Sequence, residues 1–238
     1  SEYSMPFALY MLALAVFVMG TSEFMLAGLL PAIATELDVS VGTAGLLTSA
    51  FAVGMVIGAP VMAAFARRWP PRLTLIVCLI VFAGSHLIGA MTPVFSLLLI
   101  TRVLSALANA GFLAVALSTA TTLVPANQKG RALSILLSGT TIATVVGVPA
   151  GALLGTALGW RTTFWAIAIL CIPAAVGVIR GVANNVGRSA TSATSPRLRV
   201  ELSQLATPRL ILAMALGALI NGGTFAAFTF LAPIVTET

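Results

Sequence analysis

The chain has 238 residues, of which 59% are hydrophobic and only 8% charged, with a mean hydropathy of +1.10. Soluble domains carry roughly a quarter charged residues, so this composition excludes an ordinary soluble protein and indicates an all-α polytopic membrane protein. The net charge of +6 sits in short loops rather than along one stripe, which speaks for membrane topology and against nucleic-acid binding.

Residues 1–5 read as an N-terminal tail, with Ser1-Glu2-Tyr3-Ser4 before Met5 resembling a cloning remnant. No basic region precedes the first apolar run, which is itself long enough to span, so no cleaved signal peptide is expected. Seven spans follow, at about 7–30, 42–66, 73–91, 94–123, 131–157, 162–181 and 208–235. Each approaches or exceeds the roughly 20 apolar residues that a helix needs to cross a bilayer. Residues 182–207, rich in Ser, Thr, Asn and Arg, read as a flexible linker. The expected organisation is a six-helix transmembrane domain over 6–181, the linker, and a seventh helix within 208–238.

Basic residues assign the sides of the membrane. With a cytoplasmic N-terminus, the inner loops hold Arg67, Arg68, Arg72, Lys129, Arg131, Arg180, Arg188, Arg197, Arg199 and Arg209, whereas the outer loops hold only Arg161. Six helices, a basic linker and one further helix suggest a transporter of two six-helix halves, the second mostly missing here. The first six helices then form two inverted three-helix repeats. Ala66-Arg67-Arg68-Trp69 and Gly159-Trp160-Arg161 are a faint echo between them.

Span one runs to Pro31 and contains one ionisable residue, Glu23. A charge at membrane depth is costly and normally faces a cavity or a partner. Arg102 in span four is the other embedded charge. Each lies eight residues from the outer end of its span, about 12 Å deep at 1.5 Å per residue. The pair is expected to share one polar cavity and to influence each other's charge state, as a poised proton site. Asn109 lies two turns beyond Arg102 with Ser105 between them, a polar stripe on one face of the helix. His86, the lone histidine, sits near the outer end of span three, where an interfacial or packing role is expected.

Span five carries Gly139, Ala143, Gly147, Gly151, Gly155 and Gly159 at four-residue spacing, a face that another helix can approach closely. Pro149 within the row should bend it. Ala50, Gly54 and Gly58 form a shorter row in span two. Asn221-Gly222-Gly223 with Phe225, Phe228 and Phe230 suggests a flexible aromatic stretch in span seven. Cys78 and Cys171 lie in apolar runs and read as buried hydrophobes rather than a disulfide. No phosphate-binding loop, metal-ligand cluster or nucleophile–base pair is evident, which points to a secondary active transporter rather than an enzyme, with no cofactor and a proton gradient as energy source.

The ordered set Gly20-Thr21-Ser22-Glu23-Phe24 with Gly28-Leu29-Leu30-Pro31, Leu98 to Ala110 with Arg102, Gly147-Val148-Pro149-Ala150-Gly151, and Gly159-Trp160-Arg161-Thr162-Thr163-Phe164-Trp165 resembles the major facilitator superfamily. Within it the chain is similar to the twelve-helix drug–proton antiporters, actinobacterial chloramphenicol exporters above all. The resemblance implies a monomeric, alternating-access exporter of a small amphipathic drug in the bacterial cell membrane, completed by its own C-terminal half. Sugar or purine exporters of the same superfamily are the alternative, and a channel the alternative from another class. Carried over residue by residue, Glu23 is the proton or substrate-coupling site, Arg102 its electrostatic partner, and Gly147, Pro149 and Gly151 the antiporter hinge. The loop Met62 to Leu75 departs from the family pattern, with Ala66 where Asp is usual and Trp69 where Gly is usual. In helix four, Ser105 and Ala106 replace Gln and Gly.

Overall fold

The computed structural model describes residues 5–66 and 69–182 together with Pro208, Leu212, Ala215, Leu216 and Leu219. Arg67, Arg68, the predicted linker beyond its first residue, and Asn221 to Phe230 of the predicted seventh span lie outside the described residues. The chain divides into two compact units, Ser1–Ala190 and Thr191–Thr238. In the second, the five described positions are helical and exposed.

The first unit is entirely helical among its described residues: α1 (Phe7–Glu36), α2 (Val41–Ala66), α3 (Pro71–Met91), α4 (Phe95–Thr122), α5 (Lys129–Ile142), α6 (Val148–Leu158) and α7 (Trp160–Gly181). A five-residue π-helical segment, Ala143–Gly147, joins α5 to α6, so that Ala126–Leu158 crosses as one element and six membrane-capable helices result. Helices are the natural outcome for runs this apolar, because a backbone without water must satisfy its hydrogen bonds within the segment. The turns between them follow local chemistry. Ser40 Oγ accepts from the Thr43 amide at the start of α2, Pro71 opens α3, and Thr92 Oγ1 accepts from the Val94 amide before α4. Gly159, at φ 89°, makes the turn into α7.

One boundary departs from expectation. Pro31 does not end the first span, and α1 continues through it to Glu36. The ring is exposed rather than wedged into a neighbour, so the proline removes one backbone bond without breaking the packing. One turn later, Thr35 Oγ1 donates to the Pro31 carbonyl at 3.0 Å.

Helix α1 is the centre of the bundle. Leu9, Leu12, Met19, Met25, Leu26, Leu29 and Ile33 are all essentially inaccessible, and they pack with Phe82, Phe112, Trp160 and Phe164 in one core. The small-residue row of span five lies directly on this helix. A Cβ added at Gly139 would strike the backbone of Ala13 and Phe17, one at Gly147 the Thr21 side chain, one at Gly151 Met25, and one at Gly155 Leu29. The row in span two serves α4 in the same way, with Gly54 against Ala106 and Val103 and Gly58 against Ala110 and Leu107. The π-segment falls just before Pro149, where a missing amide disturbs the helical ladder. Large apolar residues such as Val56, Ile80, Ile100, Val145, Leu153 and Ile172 remain on the outside of the unit, as a bilayer-embedded protein requires.

Candidate functional site

Glu23 lies on α1 beside the completely buried Ser22 and itself stays partly accessible. Helix α4 supplies the polar groups beside it. From α4, Asn109 Nδ2 donates to Glu23 Oε2 at 3.3 Å, and Arg102, two turns back on the same face, donates from Nη1 to Ser22 Oγ at 3.2 Å. The spacing of seven residues on α4 thus meets adjacent residues on α1. Arg102 acts on Glu23 through space, while its hydrogen bond goes to the neighbouring serine.

Arg102 is 1% exposed. Its guanidinium carbon lies 4.4 Å from the centre of the Phe51 ring of α2, a cation–π contact made strong by the absence of water. Its Nε and Nη2 find no acceptor among the described residues. A buried arginine with an unpaired edge is an unusual arrangement, because unsatisfied buried donors are costly.

The sequence places His86 at an interface or in packing, and the structure puts it in the packed interior rather than at an interface. His86 is as buried as Arg102. Its Nδ1 lies 2.8 Å from the Phe82 carbonyl, and a carbonyl can only accept, so Nδ1 carries a proton. Its Nε2 meets Ser22 Oγ at 2.5 Å. In a neutral imidazole with its proton on Nδ1, Nε2 can only accept, so Ser22 donates its hydroxyl hydrogen to His86 while accepting from Arg102. The rings of Phe82 and Phe164 stack around it at 4.4 and 5.4 Å.

Of the predicted residues, Glu23, Arg102 and Asn109 therefore converge on one place. Ser105 does not add a free group, because its hydroxyl donates back to the Arg102 carbonyl. Gly147 and Gly151 lie against Thr21 and Met25, one turn or less from Glu23, and Pro149 sits between them in the first turn of α6. Ser22 and Phe51 were not singled out by sequence reasoning, although Ser22 stands inside the motif around Glu23, and His86 was singled out without its link to Ser22. Cys78 and Cys171 are buried and unpaired, as expected.

A second cluster joins the C-terminal ends of α1 and α3 to the N-terminal end of α7. Glu36 accepts from Trp160 Nε1 at 2.6 Å and from Arg161 Nε at 2.7 Å. Arg161 Nη1 also donates to the carbonyls of Ala90 and Thr92. This gives a structural task to the Gly159-Trp160-Arg161 sequence.

The chain is 63% identical to a chloramphenicol resistance protein of Streptomyces lividans over 98% of its own length and 59% of that protein. It is 35% identical to an uncharacterised MFS-type transporter of Bacillus subtilis (97% and 57% covered) and 31% identical to an inner membrane transport protein of Escherichia coli (96% and 58% covered). The chain thus spans somewhat more than half the length of these relatives. A crystal structure of the peptide transporter POT in complex with sulfate shares the fold, with a TM-score of 0.71 at 15% identity over 99% of this chain and 52% of that one. The family model for the Major Facilitator Superfamily matches residues 12–238, and the chain belongs to that superfamily.

Proposed function

We propose that the full-length protein carrying this segment is a proton-driven exporter of a small amphipathic drug, chloramphenicol first among candidates, working by alternating access. One observation carries the reading: a membrane-embedded, partly accessible carboxylate, Glu23, held by Asn109 beside a buried cation. Such a group can exchange a proton with a cavity while feeling a fixed positive charge. The likeness to the Streptomyces protein supports the substrate class. Chloramphenicol is neutral, so apolar walls with a few hydrogen-bonding groups suit it.

In this reading Glu23 takes up and releases the coupling proton, and Asn109 presents the hydrogen bond that substrate or proton displaces. Arg102 biases the carboxylate electrostatically, and Gly147, Pro149 and Gly151 let α1 and the span-five element move against each other. Drug and proton bind in alternation, each shifting the inward–outward equilibrium. The ten-to-one bias of basic residues supports a cytoplasmic N-terminus in a bacterial inner membrane. No cofactor is needed, and a monomer completed by its second half suffices.

The test is accumulation of labelled chloramphenicol in cells expressing the full-length protein. Low accumulation that a protonophore raises, and that Glu23→Gln raises equally at equal membrane abundance, is the expected result. Accumulation unchanged by expression of the parent would remove chloramphenicol and direct the search to sugars and nucleosides.

A further inference from the structure

The Arg102 guanidinium is bound to α1 by a single hydrogen bond, to Ser22, and Ser22 can accept it while its own hydrogen points at His86. The other edge of the guanidinium, Nε with Nη2, is buried and has no partner among the described residues. That edge is the planar two-donor fork that matches a carboxylate bidentately. A carboxylate is at hand, since Glu23 is the next residue on α1, and its hydrogen bond comes from Asn109. The charged or titratable groups that meet here are Glu23 from α1, His86 from α3 and Arg102 from α4, while α2 contributes Phe51 and α7 Phe164.

We propose that His86 is a positioning residue for the coupling site: acting through Ser22, it tethers Arg102 away from Glu23 and keeps the carboxylate free of a direct ion pair. This rests on the transporter reading for its purpose, though not for its geometry. A permanent Glu23–Arg102 pair would lock the carboxylate in one charge state, whereas a tethered arginine leaves it available to exchange a proton. Removing the tether lets the Nε/Nη2 edge close onto Glu23.

Substitutions at position 86 separate positioning from packing. Gln can offer an acceptor at the reach of Nε2. Asn replaces only the Nδ1 end, and Phe best preserves the stacking with Phe82 and Phe164 while offering no acceptor. The measurement is a double-mutant cycle of Glu23→Gln and Arg102→Gln on the thermal unfolding midpoint of the full-length protein in detergent, repeated in four backgrounds: parent, Ser22→Ala, His86→Phe and His86→Gln. The expected coupling is small in the parent and in His86→Gln, and larger by about 2–4 °C in Ser22→Ala and His86→Phe. Drug transport measured alongside should be retained in His86→Gln and lost in His86→Phe and His86→Asn. Equal coupling in all backgrounds, or better transport with Phe than with Gln, would overturn the proposal. The unfolding cycle needs no substrate, so coupling that behaves as expected in a protein that moves no drug would leave the tether standing and sink the exporter reading alone.

Discussion

Arg102 reaches α1 at Ser22 and not at Glu23, with Nη1 3.2 Å from the serine oxygen. The two embedded charges therefore share a site without sharing a hydrogen bond. Three consequences for variants follow from this arrangement and the packing around it.

Asn109→Ala removes the hydrogen bond that α4 gives to the carboxylate. A bond to a charged group contributes about 1.5–3 kcal/mol, and partial exposure of Glu23 brings the effect to the lower end of that range. Proton-coupled transport should fall about ten-fold, the equivalent of ~1.4 kcal/mol, with membrane abundance unchanged. Initial-rate uptake into inverted vesicles measures it.

The glycine row should show a graded response. Gly147→Ala places a methyl group on the Thr21 side chain, and overpacking of this kind costs about 1–3 kcal/mol. Adding Thr21→Ala should recover most of the loss. Gly139→Ala meets the α1 backbone at Ala13 and Phe17, which no side-chain trimming can relieve. Gly151→Ala meets Met25 Cβ and Sδ, both at 3.2 Å, and should cost less than Gly139→Ala because a shift of a few tenths of an ångström relieves it, and Gly84→Ala, with nothing within 4 Å, should be neutral or slightly stabilising. Unfolding midpoints in detergent rank the series.

Where the C-terminal ends of α1 and α3 meet the start of α7, Arg161→Ala should be more damaging than Glu36→Gln. The arginine satisfies two carbonyls at the end of α3 as well as Glu36, and leaving such groups unpaired costs about 1–3 kcal/mol. The Arg161–Glu36 ion pair is itself partly exposed, at 27% and 47%, and contributes less. The same unfolding assay distinguishes the two.

Much of this was legible in the sequence for simple reasons. Loops that break 20-residue apolar runs locate the second to sixth spans to within a few residues, and charges are so disfavoured in lipid that Glu23 and Arg102 stand out. Asn109 follows from helical spacing alone. Pro31 misled because proline predicts a lost hydrogen bond and not the end of a helix whose proline faces outward. The π-segment at Ala143–Gly147 has no composition signal beyond the nearby Pro149. His86 and Ser22 were invisible as a pair, since they lie 64 residues apart and a lone histidine or serine in an apolar run carries no periodic pattern. Their meeting depends on how α1, α3 and α4 pack, which spacing within one helix does not encode.

The most direct test of the coupling claim uses the full-length protein in liposomes, with proton movement followed by a pH-sensitive dye as chloramphenicol is added. The account predicts drug-dependent proton release in the parent and none in Glu23→Gln. Undiminished release in Glu23→Gln would contradict it, because the proton would then be carried by another group.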